Sequence, residues 1–143
     1  MKKLFIYTLL IHLFFNITGS AKDNFFDEAK NMYDKKKLED SKFLFQRNIV
    51  FNPKDAKSYL YLAKIYNNEE NQKEELKNIN TVILLDPKNE EAVYMLIKID
   101  LKKSNYLEVK KLLKTFLVIC NNLCEKEKSV LEALTNIEPK NES

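Results

Sequence analysis

The chain is expected to be all-α, built as a solenoid of stacked helix-turn-helix pairs. Three observations lead there. Pro53 and Pro87 lie 34 residues apart, and Ile49-Val50-Phe51-Asn52-Pro53-Lys54-Asp55 is echoed by Ile83-Leu84-Leu85-Asp86-Pro87-Lys88-Asn89. A second echo at the same distance pairs Asn71-Gln72-Lys73-Glu74 with Asn105-Tyr106-Leu107-Glu108. The third is near-absence of glycine: Gly19 is the one glycine among 143 residues, and such a chain is poor material for β-hairpins. A fixed period of this length implies stacking, because one helix pair cannot bury its own apolar face.

Met1–Ala21 forms a separate segment. Lys2 and Lys3 precede an apolar run from Leu4 to Phe15, and Gly19-Ser20-Ala21 supplies small residues at a cleavage point. This is the layout of a secretory signal peptide, with cleavage expected after Ala21 and export to a periplasm or another extracytoplasmic space. The rival is an uncleaved anchor, although a comfortable span needs about 20 apolar residues. Removal of the leader takes Lys2 and Lys3 from a formal charge of +3 and leaves a near-neutral chain, with no electrostatic footprint for nucleic acid. Gly19 and His12 leave with it. Without glycine there is no phosphate-cradling loop; without histidine there is no Ser-His or Cys-His pair and no histidine metal site. No cofactor is expected.

Three repeats follow, over about 22–55, 56–89 and 90–121, within a domain expected at 22–138. The middle one reads Tyr59-x-x-Leu62-Ala63-x-x-Tyr66, then Ile79, Val82 and Pro87. This resembles the tetratricopeptide (TPR) repeat: an aromatic, Leu, a small residue and Tyr on a first helix, a large apolar residue on a second, then Pro where that helix stops. One departure is Glu75, where the family usually has Ala at the tightest helix contact; it is expected to be a weak point. The first repeat keeps Phe25, Ala29, Met32, Ser41, Phe45, Phe51 and Pro53, and the third keeps Val93, Leu96, Val109, Leu113 and Phe116. The third also departs, with Ile97 for the small residue, Asp100 for Tyr and Asn121 for Pro. Asn71 and Asn105, each three residues before a Glu, fit capping boxes, and Asp55 and Asn89 suit the starts of first helices.

Cys124–Ile137 is expected as a capping helix over the open end of the third repeat. Leu123, Val130, Leu131, Leu134 and Ile137 form its stripe, and Pro139 begins a polar tail over 139–143. Cys120 and Cys124 flank Asn121-Asn122-Leu123. In an oxidising compartment a disulfide across this turn is the leading reading, with two free thiols as the alternative. A redox-active pair lacks C-x-x-C spacing, and two thiolates alone make a poor zinc site.

The paired carboxylates Glu69-Glu70, Glu74-Glu75 and Glu90-Glu91 fall in turns or first turns of helices, where the helix dipole accounts for them without catalysis. Lys35-Lys36-Lys37 reads as a solvated turn. The resemblance implies a more specific site, because in TPR proteins the first helices line a concave groove that holds a partner peptide or helix. The stripes expected there are Phe26-Lys30-Tyr33, Leu60-Lys64-Asn67 and Tyr94-Lys98-Leu101. They set an apolar row (Phe26, Leu60, Tyr94) beside a lysine row (Lys30, Lys64, Lys98). Such rows suit a protein partner with spaced apolar anchors and acidic groups or a free carboxylate.

The resulting expectation is a right-handed solenoid of three TPR-like pairs plus a capping helix. It would act as a non-catalytic adaptor or assembly factor in an exported compartment. The alternative is a structural subunit that self-associates through a helix face. Membrane contact is expected only if the leader is retained.

Overall fold

The turns inside the helix pairs carry the period into the backbone. Lys36, Glu70 and Ser104, 34 residues apart, all have positive φ, at 63°, 56° and 53°. Each sits just past a first helix, where glycine usually takes the left-handed conformation at no steric cost. The next residue's N–H then reaches back: Lys37 donates to Met32, Asn71 to Tyr66 and Asn105 to Asp100. Those bonds satisfy carbonyls that the helix end leaves open.

The computed structural model describes residues 25–137; the leader with its cleavage point, and the 139–143 tail, lie outside the described residues. The described residues form seven helices and no strand. They are α1 (Phe25–Asp34), α2 (Leu38–Phe51), α3 (Ala56–Asn68), α4 (Gln72–Leu85), α5 (Glu90–Lys102), α6 (Tyr106–Ile119) and α7 (Lys126–Ile137). α1–α2, α3–α4 and α5–α6 are the pairs, each packs on the next, and α7 rests on α6 and α5. This is the all-α solenoid with a terminal cap that the repeats predict.

The caps follow local chemistry. Asp55 accepts from the Lys57 N–H, Asn89 from Ala92 and Asn71 from Glu74. Asn105 makes no side-chain cap; its amide instead donates to Asp100 Oδ1 at 3.4 Å.

Within each pair the helices meet where the small residue was expected. In the first, Ser41 Oγ donates to the Ala29 carbonyl at 2.8 Å. In the second, Ala63 is fully buried among Ile79 and Val82. Glu75, only 4 % exposed, places Oε1 2.8 Å from Asn67 Nδ2. The expected weak point therefore has a specific partner, and its buried carboxylate is hydrogen-bonded rather than stranded. In the third, Ile97 meets Val109 and Leu113 in an aliphatic core that extends to Val130 and Leu134 of the cap.

Between pairs, one register position changes character. Asn48 is buried and its amide donates to Asp55 Oδ2 (2.8 Å) and Ser58 Oγ (2.9 Å). The equivalents one period on are Val82 and Ala92, which pack directly.

Candidate functional site: the concave cleft

The first helices and the cap together enclose a cleft of about 390 Å³. α1 contributes Tyr33, α3 contributes Lys64, Asn67 and Asn68, and α5 contributes Glu91, Tyr94, Met95 and Lys98. Leu123 and Lys126, from the disulfide turn and the start of α7, complete it. Helical spacing explains the grouping: Lys64 and Asn67, like Glu91, Tyr94 and Lys98, lie three or four residues apart and share a helix face.

Of the nine residues expected in the groove, Tyr33, Lys64, Asn67, Tyr94 and Lys98 line this cleft. Phe26 does not; its ring lies 5.7 Å from Phe45 and 5.9 Å from Tyr61, half-buried against the first core. Lys30 is exposed and paired with Asp34 at 2.6 Å. That hydrogen bond raises its pKa above the ordinary lysine value. Leu101 packs against the third core.

Leu60 requires a correction. It is 8 % exposed and belongs to the core with Ala63, Ala92, Met95 and Ile99. Its side of α3 meets α5, so it contributes to pair stacking and offers no anchor to a partner. The apolar row is consequently not a continuous surface feature.

The lysines differ among themselves. Lys64 Nζ pairs with Glu91 at 2.8 Å and lies 4.8 Å from the Tyr61 ring centre. Lys98 lies over Tyr94 at 5.5 Å, with no carboxylate partner among the described residues. Lys64 is thus already held by a carboxylate inside the cleft, and Lys98 is not. Glu91 itself was expected only as a dipole-favoured first-turn acid.

The turn that closes the cleft is held twice. Cys120 and Cys124 form a disulfide, as expected. Glu90 then reaches the loop between them. Its carboxylate accepts from the backbone N–H groups of Asn121 (2.6 Å), Asn122 (3.0 Å) and Leu123 (3.2 Å), and from the Asn122 amide. Those donors, the Asn121 N–H foremost, hold the Glu90 carboxyl below the usual carboxylate pKa. Glu90 is thus the positioning residue for Leu123 and Lys126. Sequence reasoning missed Asn68, Glu91, Met95, Leu123 and Lys126. Glu91 and Met95 carried a signal, one helical turn before Tyr94 or Lys98, but the fold-back of Leu123 and Lys126 left none.

No family model matches the sequence, and no curated protein does. Solved structures do share the fold. The Yersinia enterocolitica type III secretion chaperone SycD, in complex with a peptide of the translocator YopD, matches with a TM-score of 0.68 and 19% identity over 85% of this chain and 95% of that one. The second TPR domain of human RPAP3, in complex with the HSP70 peptide SGPTIEEVD, matches with a TM-score of 0.64 and 20% identity over 81% and 93%. At these identities the likeness is one of fold, and the fold is TPR-like.

Proposed function

We propose that this protein is a non-catalytic adaptor or assembly factor that holds a segment of a partner protein in the concave cleft. One observation carries the reading. Residues from all three first helices converge on one cleft that sets two tyrosines beside three lysines, and the cap closes it. Tyr33 and Tyr94 offer amphipathic contact area, the kind of surface that dominates binding energy. Lys98 and Lys126 offer charge for an acidic side chain or a chain-end carboxylate, and Asn67 and Asn68 add amide hydrogen-bonding groups. The two neighbours solved with peptides support this use of the fold. The leader supports action outside the cytoplasm, after cleavage at Ala21.

The test uses nine-residue synthetic peptides, with acidic or amidated neutral C-termini, titrated into the purified protein. Acid-ended peptides should bind and shift the NMR signals of Tyr33, Asn67 and Tyr94. Tyr94→Ala should weaken them about tenfold or more. Lys98→Gln should cost more than Lys64→Gln, and more at low salt than at high salt. Absence of binding by every peptide, with a sedimenting dimer that Tyr94→Ala dissociates, would replace this reading with the self-associating subunit.

A further inference from the structure

One buried carboxylate stands directly behind the concave cleft. Ser41, Glu75 and Val109 occupy the same place in the 34-residue register, each on the second helix of its pair. Ser41 and Val109 are 0 % exposed, the first bonded to a backbone carbonyl and the second packed in an apolar core. Glu75 is also buried, and a desolvated carboxylate is costly unless it is hydrogen-bonded. The side chain that satisfies it, Asn67, is part of the cleft wall.

The bond sets the orientation of the amide as well as its place. A carboxylate only accepts, so the Asn67 nitrogen must face Glu75, at 2.8 Å, and the amide oxygen must turn away from it. Among the described residues nothing donates to that oxygen, and no buried side-chain oxygen lacks a partner. The oxygen is therefore open to solvent, on a half-buried side chain that lines the cleft. It belongs to α3, the middle one of the three first helices.

We propose that Glu75 is a positioning residue for recognition: it locks the Asn67 amide so that the cleft presents a hydrogen-bond acceptor, which takes a backbone N–H of an extended partner segment. This rests on the proposed function and names the form in which the partner enters. An amide free to turn over would offer an acceptor or a donor alike; Glu75 removes that choice, and a segment that brings a carbonyl to Asn67 is rejected. The surroundings decide the charge of the donor. Lys64, Lys98 and Lys126 line the same cleft against the single carboxylate of Glu91, which disfavours a cationic donor and favours a neutral N–H. Conformation decides that it is extended backbone. An extended segment has unpaired N–H groups to offer, whereas a helix has bonded all but those of its first turn internally.

The probes are an acid-ended nine-residue synthetic peptide and copies of it, each N-methylated at one backbone amide. At one position methylation should weaken binding about tenfold in the parent protein, and it should have no such effect in Asn67→Ala or Glu75→Ala. Glu75→Gln, whose amide oxygen still accepts, should restore the effect. Glu75→Ala made on top of Asn67→Ala should cost no further affinity, because Glu75 acts through Asn67. A purely structural Glu75 would lower the melting temperature when replaced by Ala yet leave the methylation pattern intact, and that result would overturn the proposal. So would a parent protein indifferent to methylation at every position. In the ligand-free parent, NMR should show one of the two Asn67 Nδ2 protons exchanging slowly with water, and Glu75→Ala should make both fast. Two fast protons beside intact peptide binding would defeat this proposal alone. One slow proton with no peptide bound would defeat the cleft as a peptide site, and this proposal with it.

Discussion

The first and the last helix pairs of the described residues are packed in different ways. At the first pair, aromatic rings do the work. Phe25 stacks on Phe51 at 5.6 Å, Arg47 lies 4.2 Å from the Phe25 ring centre, and Phe45 stacks on Tyr61 at 4.9 Å. At the last pair the core is mainly aliphatic, Val93, Ile97, Val109 and Leu113 around the buried ring of Phe116, and a further helix covers it through Val130 and Leu134. That helix then needs its own fastening, by Glu90 and the disulfide, and Leu131 on it is 44 % exposed. Large rings can close an end with few residues and little side-chain entropy. An aliphatic face closed by a helix moves the exposed apolar surface one step along the chain, to Leu131.

The largest expected effects come from emptying either core. Phe45→Ala and Phe116→Ala should each cost about 3–5 kcal/mol. If contacts are as local as a solenoid implies, hydrogen exchange should quicken mainly in α1–α3 for the first and mainly in α5–α7 for the second. Uniform loss of protection in both variants would show one cooperative unit and erase the distinction between the ends.

Reduction of the disulfide should be smaller and confined to the last end. Its short loop is worth about 2 kcal/mol on chain-entropy grounds. Thermal melts with and without reductant measure this. Peptide binding in the cleft should weaken in parallel, because the same turn presents Leu123 and Lys126.

Glycine at the left-handed positions should act alike at both ends. Lys36→Gly and Ser104→Gly remove a steric penalty of about 1 kcal/mol, and denaturant midpoints should rise in both. A gain at one end alone would mean that the other side chain has a compensating contact.

The smallest effect concerns pH. Glu90 has its folded pKa depressed, so its contribution is present above the unfolded carboxylate value of about 4.3 and is lost as pH falls through the lower folded value. Acid below about pH 4.3 should therefore loosen the 121–123 turn before the first pair responds, as read from amide shifts. Glu90→Gln should abolish that step.

The sequence by itself determined the periodic part. The 34-residue echo, the capping residues Asp55, Asn71 and Asn89, the small residues Ala29 and Ala63, and the Cys120–Cys124 turn were all readable. Each rests on helical spacing or on chemistry within a few residues. So does the grouping of Lys64 with Asn67 and of Tyr94 with Lys98. The tertiary structure decided how neighbouring pairs rotate against each other. That rotation carries Leu60 into the core against Ala92 and Met95, and leaves Phe26 and Lys30 outside the cleft. It likewise decided that Glu75 meets Asn67, that Glu91 meets Lys64, and that Glu90 draws Leu123 back to close the cleft. A helix period says which residues share a face; only the packing of one pair on the next says what that face meets.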